Sequence, residues 1–385
     1  MIWELEKKQD EAKIKKLQEE LNVSRLVSVL LLNRNIDSFD KAKGFFRPSL
    51  DDLHDPFLMQ DMQQAVDRIQ KAINDNENIL VFGDYDVDGT SSASLVSSFL
   101  NNHTKNNVLT YIPDRYQEGY GISTKSIDYA VSKEINLIIA LDCGIQAIDK
   151  VEYAKGKNID FIICDHHTPS DKIPNAIAVL NPKQFDCHYP YKELSGCGVG
   201  FKLIQAYCIK NDISFDQIIE YLDLVTVSIA ADIVPLNEEN RVLSFYGLKQ
   251  INSKPRAGLE ALMSTFNKAK KLTMSDLVFK IAPRINASGR IDHAKKAVDI
   301  LVEEDYDRAK LFATEIEVHN NSRKDLDQSI TKEAIEMIDE NKKSTVVFSK
   351  KWHKGVVGIV ASRLIEIHYK PTIVLVEIDG ILTGS

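Results

Sequence analysis

Several features are scarce or missing in this chain. Its five cysteines, Cys143, Cys164, Cys187, Cys197 and Cys208, are odd in number and never spaced Cys-x-x-Cys. That excludes a zinc knuckle and a disulfide framework, and reads as reduced thiols. No apolar run approaches the ~20 residues of a membrane helix; the longest, 26–32 and 137–141, have strand or short-helix length. No basic start followed by an apolar stretch opens the chain, so no secretory signal is read and a cytoplasmic location is expected. Basic charge is short as well: 48 Lys and Arg against 56 Asp and Glu leave −8 over 385 residues. An acidic total argues against a protein that coats nucleic acid, because phosphates are repelled at long range.

What is present is ordinary globular protein, with 44% hydrophobic and 27% charged residues and a length that suits two or three domains. Residues 1–60 are charged and helical in pattern, a lead-in with no visible chemistry. From about 78, short apolar runs (79–82, 108–112, 137–141, 161–163) alternate with helix-like stretches, which predicts βαβ units and a parallel sheet. Residues 199–209 and 216–230 read as helices. The polar stretch 304–340, free of Pro and Gly, reads as a connecting helix between a main domain over 61–303 and a smaller strand-loop-helix-strand unit over 341–385. In the last unit seven basic residues face Glu366 alone between positions 341 and 371, a local +6.

Three strand ends run into groups that bind metals. Strand 79–82 leads into Gly83-Asp84-Tyr85-Asp86-Val87-Asp88-Gly89-Thr90, strand 137–141 into Asp142-Cys143-Gly144, and strand 161–163 into Asp165-His166-His167. Parallel strands joined by crossovers end on one edge, so these groups converge, and Asp232, just past a predicted helix, is placed to close the cluster. Crowded carboxylates raise one another's pKa unless a cation neutralises them. Mostly Asp with one or two His fits a pair of Mn2+ ions best and Mg2+ next, and such a pair implies phosphoester or phosphoanhydride hydrolysis.

Taken in order, Asp84-x-Asp86-x-Asp88-Gly89, Leu141-Asp142-Cys143-Gly144, Asp165-His166-His167, Gly196-Cys197-Gly198-Val199-Gly200 and Ala231-Asp232-Ile233-Val234-Pro235 resemble the motifs of the DHH phosphoesterases. Within that superfamily, the first motif, the run from Pro283 to Arg290 and the run from Trp352 to Arg363 resemble the RecJ family of bacterial single-strand-specific exonucleases. The resemblance implies an α/β fold, a parallel-sheet DHH catalytic domain joined by a long connector helix to a smaller α/β DHH-associated domain. It assigns metal ligation to Asp86, Asp88, Asp142, His166 and Asp232, with Asp84 and His167 beside the metals. It also implies two-metal, processive 5′→3′ removal of mononucleotides from single-stranded DNA in recombination and repair. Under that reading Arg115 holds the 5′ phosphate. Arg284 and Arg290 bracket Asn286-Ala287-Ser288-Gly289 and, with Ser288 and the local backbone, bind phosphate. His353, Gly355, Gly358 and Arg363 form a phosphate-binding loop and helix start. Tyr116, Tyr120 and Trp352 are candidates for base stacking.

Family members continue past the final Gly-Ser into a further Arg-containing stretch and an oligonucleotide-binding domain. Ser385 stands at the family's phosphate-contacting serine, and the second lobe is expected to be incomplete. A helicase and a single-strand-binding protein are the expected partners, and a monomer the expected state. Two alternatives stay open: a DHH phosphodiesterase for short oligonucleotides or cyclic dinucleotides, or a pyrophosphatase; and an inactive DHH scaffold in a replication complex. The first alternative favours a His-containing first motif, where this chain has Asp84. The second would lose ligands that this chain retains.

Overall fold

The structure, a computed structural model, describes residues 9–266, 271–378 and 380–385. Helices α1 (Glu11–Leu21), α2 (Arg25–Leu32) and α3 (Phe39–Phe46) close on a small core of their own, built on Ile14, Leu17, Leu31, Leu32, Ile36 and Ala42. Asp10, Ser24 and Ser38 cap the three helices, each accepting from a first-turn amide. Helix α4 (Met62–Asn74) then leads into the main sheet.

That sheet holds β1 (Asn78–Gly83), β2 (Val108–Tyr111), β3 (Ile135–Leu141), β4 (Asp160–Cys164) and β5 (Ala178–Leu180), parallel throughout, in the order β2-β1-β3-β4-β5. The run 79–82 is apolar at every position because both faces of the strand are covered. Ile79 and Val81 join a core with Leu137, Ile139 and Ile162, while Leu80 and Phe82 join one on the other face with Ile138, Ala140 and Phe161. The crossover helices are α5 (Val87–His103), α6 (Thr124–Ser132) and α7 (Ile148–Lys155). From β1 the chain steps to β2 on one side, then returns to β3 on the other. The carboxyl ends of β1 and β3 therefore flank the point where strand order reverses, the place where open α/β sheets bind their ligands.

Helix α5 is buried all round, which explains its run of small residues. Thr90, Ser92 and Ser94 donate their hydroxyls back to carbonyls four residues earlier, so buried hydroxyls are satisfied within the helix. It packs against α8 (Gly196–Lys210) and α9 (Leu222–Ala231). The stretch expected as one helix over 216–230 is instead two 3-10 turns, Phe215–Gln217 and Ile219–Tyr221, followed by α9. Then come α10 (Glu238–Ser253), α11 (Ala257–Ser264) and α12 (Met274–Asp276), which passes through a π turn into α13 (Ala282–Ile291), and α14 (Lys295–Val302).

Helix α15 (Tyr306–Glu336) has 31 residues and a length of about 46 Å. Its first half contributes Ala309, Ala313 and Ile316 to the main core; its last turns contribute Ile330 and Ala334 to a second core. That second core belongs to β6 (Thr345–Phe348), α16 (Val357–Ile367), β7 (Thr372–Ile378) and β8 (Ile381–Gly384), with β6 parallel and β8 antiparallel to β7. Among the described residues no helix is long and apolar enough to cross a membrane.

Candidate metal centre

The strand ends place their acids together. Asp84 follows β1 fully buried; one oxygen accepts from the Gly121 amide at 3.1 Å and the other has no partner. Asp86 caps α5, accepting from the Gly89 amide at 3.0 Å. Asp88, two residues on in the first turn of α5, is locked by three donors: the amides of Gly196 (2.7 Å) and Cys197 (2.8 Å) at the start of α8, and the Ser228 hydroxyl (2.7 Å) on α9. The glycine-rich 196–200 motif thus grips Asp88 through a helix N-terminus. Gly196 is required for a second reason, since a Cβ there would stand 2.6 Å from Asp142 Oδ1.

Asp142 leaves β3 in the left-handed region, at φ 60°, a conformation Asp tolerates better than most residues. His166 meets it from β4. Its Nε2 lies 3.2 Å from Asp142 Oδ1, 3.5 Å from Asp232 Oδ2 and 3.7 Å from Asp88 Oδ2, yet neither ring nitrogen makes an aligned hydrogen bond. One buried imidazole nitrogen ringed by three carboxylates is a ligand arrangement rather than a hydrogen-bond arrangement. Asp142, His166 and His167, and likewise Asp88, His166 and Asp232, bring their ligand atoms within 4.8 Å of one another.

The electrostatics agree. Burial, then repulsion by Asp88 and Asp86, pushes the Asp142 carboxyl well above the usual range. The same two causes raise Asp232 to about 8, and burial with Asp86 raises Asp84 to about 7. Burial also raises Asp86, with Asp88 adding to it. Burial lowers His166, keeping the ring in the neutral form that ligates metals. Cations are the natural relief for such a cluster, and mostly carboxylate with one imidazole suits Mn2+ or Mg2+.

Asp165 is read from the sequence as the first residue of the Asp165-His166-His167 motif but is given no role of its own there. It is buried, and its Oδ1 accepts from the His166 amide, the His167 amide and His167 Nδ1 (2.7 Å), while Oδ2 accepts from the Ile145 amide at 2.9 Å. Burial opposes its charge, but His167 and these amides outweigh it and hold the carboxyl below its ordinary range. The bond to Asp165 raises His167 in turn. Tyr120 donates to the Asp142 carbonyl at 3.0 Å and stands 3.3 Å from His167 Nε2.

The expected phosphate contacts divide. Arg115 stacks 4.1 Å over the Tyr85 ring, beside the acids, with its Nε unpartnered. Arg290 at the end of α13 donates to the Gly355 carbonyl at 2.9 Å, and Tyr116 donates its hydroxyl to the Arg290 carbonyl. His353 packs edge-on to Tyr116, so loop 112–123, α13 and the 352–356 loop meet across the two lobes. Burial, then the charges of Arg115 and Arg323, lowers Arg290. Arg363 pairs with Asp327 on α15 at 2.6 Å. Ser385 pairs its backbone with Val374, extending the antiparallel edge.

Four expectations are corrected. Arg284 is no free fork: it bonds Glu317 (2.7 Å), Thr265 Oγ1 (2.8 Å) and the Lys280 carbonyl (2.8 Å), tying α13 to α15. Ser288 is fully buried within α13, and residues 286–289 are helical, so their amides serve the helix ladder rather than a phosphate. Trp352 is buried in the second core with its Nε1 on Glu333, not available to stack a base. Gly358 lies inside α16 instead of preceding it.

Comparison with known proteins agrees with this geometry. The DHH family, N-terminal domain, matches residues 78–229. The single-stranded-DNA-specific exonuclease RecJ of Bacillus subtilis (strain 168) is 39% identical over 394 residues, covering all of this chain and 49% of that protein. Its counterpart in Escherichia coli (strain K12) is 34% identical over 84% of this chain and 59% of its own length. The chain thus spans about half the length of the first of these curated relatives. The crystal structure of RecJ from Thermus thermophilus in complex with Mn2+ superposes with a TM-score of 0.83 at 26% identity, over 96% of this chain and 53% of that one. The acids that converge at the β1 and β3 ends lie within residues 78–229, the stretch that matches the DHH family, N-terminal domain.

Proposed function

We propose that this chain carries the hydrolytic centre of a 5′→3′ exonuclease specific for single-stranded DNA, releasing 5′-mononucleotides by two-metal phosphodiester hydrolysis in recombination and repair. The observation that carries it is His166 Nε2, ringed by Asp142, Asp232 and Asp88 at 3.2–3.7 Å without an aligned hydrogen bond. Asp86, Asp88, Asp142, His166 and Asp232 would hold two Mn2+ or Mg2+ ions; the buried, mutually repelling carboxylates fit that charge. When bound, such ions supply Lewis acidity and an activated water.

The remaining work falls to the chain's own side chains. The two α8 amides and Ser228 fix Asp88 so that its carboxylate does not reorient as the substrate enters. Asp165 pairs with His167 Nδ1 and so orients the ring, with the Tyr120 hydroxyl beside both ring nitrogens at 3.3 and 3.4 Å. His167 would then meet the scissile phosphate, with Asp84 beside it as a supporting acid. Arg115 and Arg290 would take the 5′ phosphate, Arg115 being preset by its stack on Tyr85. This reading extends to a monomer acting in the cytoplasm on strands supplied by a helicase and a single-strand-binding protein.

The test is a digestion series with 5′- and 3′-labelled single and double strands in Mn2+ or Mg2+. Release of labelled mononucleotide from 5′-labelled single strand, ahead of any loss of the 3′ label, is expected. Hydrolysis confined to dinucleotides, cyclic dinucleotides or pyrophosphate would overturn the substrate assignment, and no hydrolysis at all would favour a scaffold.

A further inference from the structure

The buried face of α15 changes character along its length. Ala309, Ala313 and Ile316 pack in the main core, and Ile330 and Ala334 in the second. Between them, on the same face at spacings of three and four, stand Asn320, Arg323 and Asp327. Asn320 and Asp327 are both 0% exposed, where a connector would bury apolar side chains at less expense. These polar turns lie between the portions of α15 packed into the two lobes, the region also bridged by Arg290 and Gly355.

Their partners are unusual. Asp327 lies 2.6 Å from Arg363 Nη2, but neither carboxylate oxygen makes an aligned hydrogen bond. Arg323 donates Nη2 to Asn320 Oδ1 at 3.2 Å, and its buried Nε has no partner. Burial lowers Arg323; Asp327 opposes the shift and Arg363 adds to it, while Arg323 in turn bears on Arg290. Guanidinium groups from three elements are therefore neighbours: Arg290 on α13, Arg323 on α15 and Arg363 on α16. Asp327 is the acid facing Arg323 and Arg363.

We propose that the middle of α15 is part of the strand-binding surface: Arg323 contacts a backbone phosphate of the substrate, and Asp327 is the positioning residue that holds Arg323 and Arg363 toward it. The inference rests on the nuclease reading above and deepens it. An arginine row with a single buried acid retains excess positive charge, which a phosphodiester backbone matches. Arg323 lies in a stretch that the sequence suggests is only a connector.

The test uses the whole chain with Mn2+ and a 5′-phosphorylated single strand, measuring kcat and KM from low to moderate salt. Arg323→Ala should raise KM roughly tenfold, with kcat changed less than about twofold, and lower the salt dependence of log KM by about 0.7, the share of one single-strand phosphate contact. Asp327→Asn should also raise KM, although removing a negative charge would by charge alone lower it. Asp327→Glu should restore part of the loss, separating positioning from simple destabilisation, and Mn2+ affinity should stay at the wild-type value in all three. An unchanged KM and salt slope in Arg323→Ala, in a wild-type background that degrades the strand, overturns the proposal. A lowered KM in Asp327→Asn does the same. Wild-type protein that fails to degrade any strand instead overturns the nuclease reading.

Discussion

The candidate metal centre and the arginines beside it and between the lobes are built in opposite ways. At the candidate metal centre Asp84, Asp86 and Asp142 follow strands by one to three residues, so the parallel sheet brings them to one edge, while Asp88 sits in the first turn of α5 and Asp232 closes the cluster from the end of α9. On the arginine side Arg115, Arg290, Arg323 and Arg363 come from a loop and three helices, and their neighbours decide what each does. Arg284 and Arg290 are six residues apart in one helix, yet the first is bound to Glu317 and Thr265 while the second reaches across to Gly355. Sheet topology can therefore be read as a site, whereas an arginine's role requires knowing its partner.

The comparison breaks most sharply at the acids. Asp142→Ala or His166→Ala should reduce metal-dependent hydrolysis by roughly 10³-fold or more, the several kcal/mol that divalent ions contribute to such transition states. Steady-state rates on folded variants check this, and near-wild-type activity would remove both residues from the centre. Asp165→Asn should lower kcat by about 10–100-fold while leaving bound Mn2+ unchanged, because it disturbs the orientation of His167 and leaves the ligands in place.

On the other side, Arg290→Ala should raise KM for a 5′-phosphorylated strand by about tenfold, equivalent to about 1.4 kcal/mol. Arg284→Ala should leave KM alone and lower stability by about 2 kcal/mol, because it strips a partner from buried polar groups. Denaturant unfolding beside steady-state kinetics separates the two. Equal KM effects would mean that Arg284 also faces the strand.

The acids also set a dependence on pH. In the metal-free protein, folded Asp142, Asp84 and Asp232 keep protons that the unfolded chain gives up near pH 4. The folded state binds more protons over that window, so stability should fall as pH rises from about 4 through about 8. Saturating Mn2+ should flatten the fall and bind more tightly as those protons leave. Melting curves with chelator and with Mn2+ across this range provide the check.

Much of the catalytic lobe is legible along the chain. The runs 79–82, 137–141 and 161–163 sit within β1, β3 and β4, because strands covered on both faces must be apolar at every position. The three-residue β5, Ala178–Leu180, is too short to stand out from its loops. Residues 283–290 carry Pro, Asn, Ser and Gly and resemble a phosphate loop. They are helical because Pro283 sits in the first turn and the buried side of α13 packs into the core. Asp165 escapes a spacing argument because its bonds are to its own motif and to Ile145. Arg323 and Asp327 are unreadable for a related reason: on a polar helix, charged residues look solvated until a second lobe closes over them.

The most direct test of the central claim, that five side chains at the sheet's carboxyl edge hold two catalytic ions, is the number of Mn2+ ions bound per chain. Equilibrium titration of wild type should give two, and His166→Ala, still folded, should give fewer together with loss of mononucleotide release. Wild-type protein that degrades single strands with no bound Mn2+ or Mg2+, or His166→Ala that binds two Mn2+ ions at wild-type affinity, would contradict it.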